Sequence, residues 1–324
     1  MIFLNEQDIR QAVTFEDMMG AVEEAFRLFT AGQCSMADRT TASQGNMTML
    51  YMPCYAGGYV STKILASCPD NPARGLPALD GVVLLNRSDT GQLEAILDGS
   101  TVTALRTGAV GGLAARHLSK TDAHTVGLVG CGVQGLHQLA CLCAVRDIHT
   151  IYLRQTEGRD LTDFIRKLRD MISSRQADII LCSDADEVLE KSEIVVTATP
   201  SCRPLFSDDP SLFRGKCIIA IGSWRPDMRE LPDAIWLAAK EVYIELPFAC
   251  RESGDLSLPL AAGTLTPDRV KLFGGLLADV SGGRHPTLGE TRYFKSVGMG
   301  VFDTISAKII LREAKIKGLG TRLR

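Results

Sequence analysis

The sequence predicts a two-domain α/β chain with one domain built on a doubly wound parallel sheet. From residue 125 onward, short apolar runs alternate with helix-like segments, the pattern of crossover units feeding parallel strands. One of those runs, "TVGLVG", enters a glycine-rich turn that opens a helix. At 324 residues the chain is also long for one core, so two domains are expected. The first ~115 residues mix elements and form a smaller α+β domain by the same reading.

The elements follow in order. "DMMGAVEEAFRLFTAG" has apolar residues at helical spacing and a stop at Gly32. Strand-like runs come next, in "MTMLYMPCY", "GYVSTKILASC" and "ALDGVVLLNRSDTGQLEAILDG", with a hairpin turn at "DTG". "STVTALRTGAVGGLAARHL" reads as a helix capped by Ser100 or Thr101. Strand "TVGLVG", helix "VQGLHQLACLCAV" and strand "HTIYLRQ" then open the second domain. The helix of "GRDLTDFIRKLRDMISSR" is followed by strand "DIILCS", a helix near "ADEVLEKS", and strands in "EIVVTATPS", "KCIIAIGSW" and "EVYIEL". From Pro259 the pattern turns helical and ends in the basic "REAKIKGLGTRLR".

Composition narrows the function. With 45% hydrophobic residues, 23% charged residues and a net charge of −3, the chain has no reason to seek nucleic acid or a membrane surface. The start is not a secretory signal, no run approaches the ~20 apolar residues of a bilayer span, and the cytoplasm is the default location. The ten cysteines lie mostly among apolar neighbours, without CxxC pairs or zinc spacing, and read as reduced thiols. No metal is implied.

The glycine turn is the first chemical signal. Gly130, Gly132 and Gly135 form GxGxxG between a strand and a helix, the context that a dinucleotide fingerprint requires. The first glycine permits the tight turn, the second lets a pyrophosphate reach the backbone, and the third allows close helix–strand packing. The next strand ends in Arg154, with Gln155, Thr156 and Arg159 behind it. An NAD site has an acid there for the ribose hydroxyl, whereas an arginine suits the 2′-phosphate of NADP. NADP(H) is favoured, with NAD(H) as the alternative if Arg154 is a solvated residue and Glu157 takes the acid's place.

Two cations ahead of this region stand out. Lys63 alternates with Val60, Ile64 and Leu65, so it either snorkels to solvent or faces a polar pocket. Arg106 sits in an Ala/Leu/Gly helix, where its planar fork would suit a carboxylate.

The blocks "ALRTGA", "GCGVQG", "IVVTATPS", "IGSWRPDMREL" and "FKSVGMGVFDTISA" occur in the order of the ornithine cyclodeaminase/mu-crystallin family, which the chain resembles over nearly its whole length. The resemblance implies a Rossmann domain for NAD(P) at 117–298. It also implies a smaller substrate-binding and dimerising domain at 1–116 plus 299–324, hence a homodimer. It makes Arg39 and Arg106 carboxylate ligands and Lys63 the group that polarises or protonates at the carbonyl/imine centre. Asn71 matches the Asn after that lysine. Thr107, Gly108, Val133 and Gln134 match positions near the phosphates. Residues 197–201, with Thr197, Ala198 and Thr199 foremost, match the loop beside the nicotinamide ribose. Ser296, Val297 and Gly298 match the loop against its ring.

The sequence departs from the cyclodeaminase pattern at two acids. Trp224 falls where a catalytic aspartate is expected, and Leu50 falls near the place of a glutamate. Asp227, three residues on, either substitutes as a catalytic acid or is structural; Trp224 either walls the substrate pocket or is core. Without both acids, the remaining groups suffice for NAD(P)H-dependent reduction of an α-imino acid, such as pyrroline-2-carboxylate or piperideine-2-carboxylate. The alternatives are an ornithine cyclodeaminase or L-amino-acid dehydrogenase of the same family, or a cofactor-binding protein without turnover.

Overall fold

The computed structural model describes residues 1–155, 159–172, 176–283 and 289–323. The chain forms two compact units, Met1–Arg106 with Met299–Arg324, and Thr107–Gly298. No helix among the described residues is long and apolar enough to cross a membrane.

The first unit is built on an eight-stranded, mostly antiparallel sheet. Its strands are β1 (Ile2–Leu4), β2 (Cys34–Met36), β3 (Thr40–Gln44), β4 (Met47–Ala56), β5 (Tyr59–Ser67), β6 (Leu79–Arg87), β7 (Leu93–Asp98) and Thr321–Arg322. The order is Thr321–Arg322, β1, β7, β6, β5, β4, β2, with β3 paired to β4. Helices α1 (Glu6–Ala12) and α2 (Phe15–Thr30) each begin with a capping box, Asn5 with Asp8 and Thr14 with Asp17. In α2 the apolar stripe Met18, Val22, Ala25 and Phe26 is buried, and Gly32 follows at φ 66°, as the sequence predicts. The Phe26 ring meets Phe302 edge-on at 4.8 Å, joining α2 to the helix Gly300–Lys317. The predicted hairpin links β6 to β7, with Gly91 at φ 70°.

One cap differs from expectation. Helix α3 (Gly99–Leu118) is capped by Asp98, whose carboxylate accepts from the Thr101 amide at 2.7 Å. Ser100 instead donates its hydroxyl to the Leu79 carbonyl. A carboxylate accepting from a helix N-terminus gains a charge-assisted bond that a hydroxyl cannot match.

The second unit is a fully parallel sheet. Its strands are β8 (Thr125–Val129), β9 (Thr150–Arg154), β10 (Asp178–Leu181), β11 (Ile194–Thr197), β12 (Cys217–Ala220), β13 (Glu241–Ile244), β14 (Val270–Leu272) and β15 (Arg292–Lys295). The order β10-β9-β8-β11-β12-β15-β13-β14 reverses direction between β8 and β11, which makes the sheet doubly wound with its switch point there. Helices α4 (Val133–Val145), α5 (Thr162–Met171) and α6 (Ala185–Lys191) connect the first strands. The stretch after Pro259 is not all helical, since β14 and β15 lie in it. Strand β15 is only four residues, wholly buried between β12 and β13, and its charged ends Arg292 and Lys295 disguise it in sequence.

The units divide after Arg106, within α3, and not at the expected 116/117. Two glycines explain this. A Cβ on Gly108 would stand 2.7 Å from the His137 carbonyl oxygen, and one on Gly111 would stand inside bonding distance of the Gln138 amide. The second half of α3 therefore lies flush on α4, and the Gln138 amide donates to the Thr107 carbonyl at 2.6 Å. The Gly108 position is thus used in helix packing.

Candidate functional site

The glycine turn of the second unit has the geometry that its sequence implied. Gly130 adopts φ 105°, and a Cβ there would meet the Ala198 carbonyl oxygen at 2.6 Å. A Cβ on Gly135 would meet the Gly130 oxygen at 2.4 Å, so helix and strand touch at that point. A Cβ on Gly132 would meet nothing within 4 Å, which leaves open space above the N-terminus of α4. Val133, the first residue of that helix, is 65% exposed. The Oγ1 of Thr107 and the Oε1 of Gln134 are buried and have no hydrogen-bond partner among the described residues. An open cradle at a helix N-terminus, with the orphaned Gln134 oxygen in the first turn of that helix, fits a phosphate-bearing nucleotide.

The turn borders a cleft of about 560 Å³, lined among others by Gly130, Gly132, Arg154, Gln155, Arg159 and Thr199. Arg154 ends β9, and its carbonyl receives the Gly130 amide at 3.0 Å. Gln155 turns its amide oxygen back to the Cys131 N–H at 2.6 Å, stiffening the turn. Asp184 also lines the cleft, but its carboxylate caps α6 by accepting from the Glu187 amide. Thr156, expected beside Arg154, lies outside the described residues, as does Glu157.

The loops after β11 and β15 are held by buried acids that sequence reasoning missed. Glu230, fully buried, accepts from the Thr199 amide at 2.7 Å and hydroxyl at 2.8 Å, the Thr197 hydroxyl at 2.8 Å and the Gly222 amide at 2.9 Å. Burial pushes its carboxyl above the ordinary range. Thr197, expected beside the nicotinamide ribose, is therefore fully buried with its hydroxyl committed to Glu230, while Ala198, Thr199, Pro200 and Ser201 do line the cleft. Asp255 accepts from the Glu230 amide at 2.7 Å and pairs with Lys295 at 3.1 Å, both side chains fully buried. Glu245 accepts from the Ser296 hydroxyl at 2.5 Å, the Val297 amide at 3.0 Å and the Gly298 amide at 2.7 Å. The polar groups expected to face the nicotinamide ring are thus used to fix that loop's shape.

The first unit holds the other cluster. Strand register places Lys63 between Met52 and Val83, and its side chain is 2% exposed. Its Nζ lies 2.7 Å from Oδ2 of Asp303, in the first turn of Gly300–Lys317. The other oxygen of that fully buried carboxylate takes the Arg106 Nε at 3.1 Å. Two cations thus share one acid in a desolvated place. Burial is the main cause that pulls the Lys63 ammonium down to about 7; Asp303 opposes it, and the charges of Arg106 and Arg39 add to it. Arg39 is half-buried and belongs electrostatically to the cluster. Lys63 therefore faces polar partners and does not snorkel. Asp303 was legible by the logic that flagged Lys63, an ionisable residue among Val301, Phe302 and Ile305.

The remaining expected residues lie elsewhere in their units. Asn71 donates to the Pro77 carbonyl at 3.1 Å and closes its own turn. Trp224 is half-buried under the Arg225 guanidinium, 5.4 Å from the ring centre. Asp227 is exposed and paired with Arg225 at 3.2 Å, at a solvated position. Leu50 is buried in β4 opposite Leu65.

Residues 1–318 match the model of the ornithine cyclodeaminase/mu-crystallin family. A Δ1-pyrroline-2-carboxylate reductase of Bacillus cereus is 30% identical over 329 residues, covering 100% of this chain and 99% of the relative. Among solved structures, the Δ1-pyrroline-2-carboxylate reductase of Thermococcus litoralis, in complex with NADH and L-proline, superposes with a TM-score of 0.91 at 28% identity, over 100% of both chains. An archaeal alanine dehydrogenase dimer with bound NAD superposes at 0.89 with 26% identity, over 100% of this chain and 99% of that one.

Proposed function

The chain belongs to the ornithine cyclodeaminase/mu-crystallin family, and we propose that it is an NADPH-dependent reductase of cyclic α-imino acids such as Δ1-pyrroline-2-carboxylate or Δ1-piperideine-2-carboxylate. The observation that carries this reading is the buried Lys63–Asp303–Arg106 cluster, in which two cations face one carboxylate. A small anion completes its charge balance, and a substrate carboxylate bound by Arg106 and Arg39 supplies one. Lys63, at about 7, holds or releases a proton near neutrality and delivers it to the imine nitrogen. Asp303 keeps both cations in place, and burial excludes water from the exchange.

The second unit would hold the dinucleotide through the Gly130–Gly132–Gly135 turn and the N-terminus of α4, and that cofactor supplies a hydride for the imine carbon. Arg154 and Arg159 on the cleft wall favour a 2′-phosphate, and Asp184 is already engaged as a helix cap. This preference departs from the NADH and NAD held by the two solved relatives. Buried Leu50 and exposed Asp227 disfavour the cyclodeaminase reaction, which needs acids to manage two substrate amines. The alanine dehydrogenase relative favours a second reading, oxidative deamination of a linear amino acid, with Lys63 as proton acceptor. The dimer of that relative also supports a homodimer here.

The deciding assay is NADPH oxidation with pyrroline-2-carboxylate, run beside NADH, and beside NAD+ with ornithine, read as ammonia and proline release, or with alanine, read as NADH formation. Turnover on the imine that prefers NADPH and vanishes in Lys63→Ala supports the reading. Activity confined to ornithine or alanine overturns it.

A further inference from the structure

His124 and His149 stand just before β8 and β9, and the sheet register Thr125↔Thr150 sets them side by side. The His149 amide donates to the His124 carbonyl at 2.8 Å, which locks the two backbones together. Glu193 fixes the same corner by accepting from the His124 amide at 2.8 Å. The imidazoles stack with centres 4.4 Å apart and planes at 10°. Asp147 completes the group: its backbone carbonyl lies 2.8 Å from His124 Nδ1, and its Oδ2 lies 3.1 Å from His149 Nε2.

We propose that His124, Asp147 and His149 form a surface site for a divalent transition-metal ion such as zinc. A carbonyl oxygen only accepts, so His124 carries its proton on Nδ1 and presents a lone pair at Nε2. Ligating histidines are commonly fixed in this way by a backbone carbonyl on the other ring nitrogen. The 3.1 Å from His149 Nε2 to Asp147 Oδ2 is near the ~3.4 Å edge of a tetrahedron with ~2.1 Å metal bonds. One ligand atom from each of the three residues lies within 4.8 Å of the other two. The three ligand atoms already lie close to one another, and solvent completes the coordination. Two imidazoles and one carboxylate suit zinc, nickel or copper and not magnesium or calcium.

The group sits at the N-terminal ends of β8 and β9, whereas Gly130 and Arg154 follow or end these strands at the cleft. Five residues of strand separate the two places by about 16 Å. The bound ion is therefore a clip on the first crossover unit and not part of the hydride chemistry.

Zinc chloride is titrated calorimetrically into the wild-type chain, His124→Ala, His149→Ala and the double variant, and melting is followed with and without zinc. The proposal expects one zinc per wild-type chain, a melting temperature that rises with zinc, at least a tenfold loss of affinity in each single variant, and no response to magnesium. These substitutions are at exposed side chains, and nucleotide binding should be unchanged. Absence of binding to the wild type overturns the proposal. Equal affinity in the double variant does so too, and points to a thiol such as exposed Cys202.

Discussion

Replacing Asp303 with Asn tests the centre of the proposed chemistry. The substitution keeps the side chain's shape and removes the one negative charge that Lys63 and Arg106 share at 2.7 and 3.1 Å. A charge pair about 4 Å apart at an effective dielectric of ~20 is worth on the order of 4 kcal/mol. Even a third of that lowers the Lys63 pKa by about one unit. Lys63 lies at about 7, so roughly half its population is protonated at neutrality. A one-unit fall leaves about a tenth, and kcat/KM for imine reduction at pH 7 should drop about fivefold from protonation alone. The basic limb of the pH profile should move down by the same unit. Stability should fall by roughly 3–5 kcal/mol, the effect of stranding buried charge. The folded-state value near 7 lies below the ordinary 10.5 of an exposed lysine. Unfolding therefore takes up a proton between those values, and this group's destabilisation is full below about pH 7 and relieved as pH rises toward 10.5. In Asp303→Asn the lower edge of that window moves further down. Rate–pH profiles and pH-dependent denaturation read both effects, and a variant whose kcat/KM profile overlays the wild type refutes Lys63 as the proton donor.

Other changes separate binding from folding. Gly132→Ala should weaken dinucleotide binding at least tenfold with little change in melting temperature, because its Cβ enters open space in the cradle. Gly135→Ala should lower the melting temperature, because its Cβ strikes the Gly130 carbonyl; ligand titration and thermal unfolding of both variants check the contrast. Arg154→Ser should reduce the preference for NADPH over NADH by about tenfold, as loss of one charge-assisted bond implies, measured as the ratio of the two kcat/KM values. Glu230→Gln replaces one carboxylate oxygen with an NH2 donor, which then opposes the N–H of either Thr199 or Gly222, and loss of one such buried bond costs about 1–3 kcal/mol. The KM for the nucleotide should rise several-fold with kcat little changed, and an unaltered KM would remove Glu230 from any role in shaping the cleft.

The sequence carried the parallel sheet and its glycine turn clearly, because buried parallel strands are continuous apolar runs and a tight turn admits only glycine. Lys63 and Arg106 were legible for the complementary reason, since a cation in an apolar stretch demands a partner. The partner itself was not found. Asp303 follows Phe302 by one position but meets Lys63 across 240 positions, and only the tertiary fold shows that pairing. Glu230, Asp255 and Glu245 escaped for a related reason, because their ligands are backbone amides of distant loops, which leave no residue signature. The α3 cap reads in sequence as a hydroxyl, but a carboxylate two or three positions earlier is better placed. His124 and His149 share no motif spacing; the register of two parallel strands alone brings them together.

The first unit is assembled from two separated stretches of chain, and this sets an order of events during synthesis. Thr107–Gly298 is contiguous and complete before Gly300–Lys317 emerges. Until that helix arrives, Lys63 and Arg106 have no Asp303, and the sheet lacks the helix that delivers Phe302 to Phe26. A nascent chain can therefore finish its nucleotide-type domain early, while its cation cluster waits for the last helix. Premature termination anywhere before Asp303 leaves a polypeptide that lacks the counter-charge for its own lysine, so the integrity of the C-terminal segment acts as a built-in check on the finished molecule.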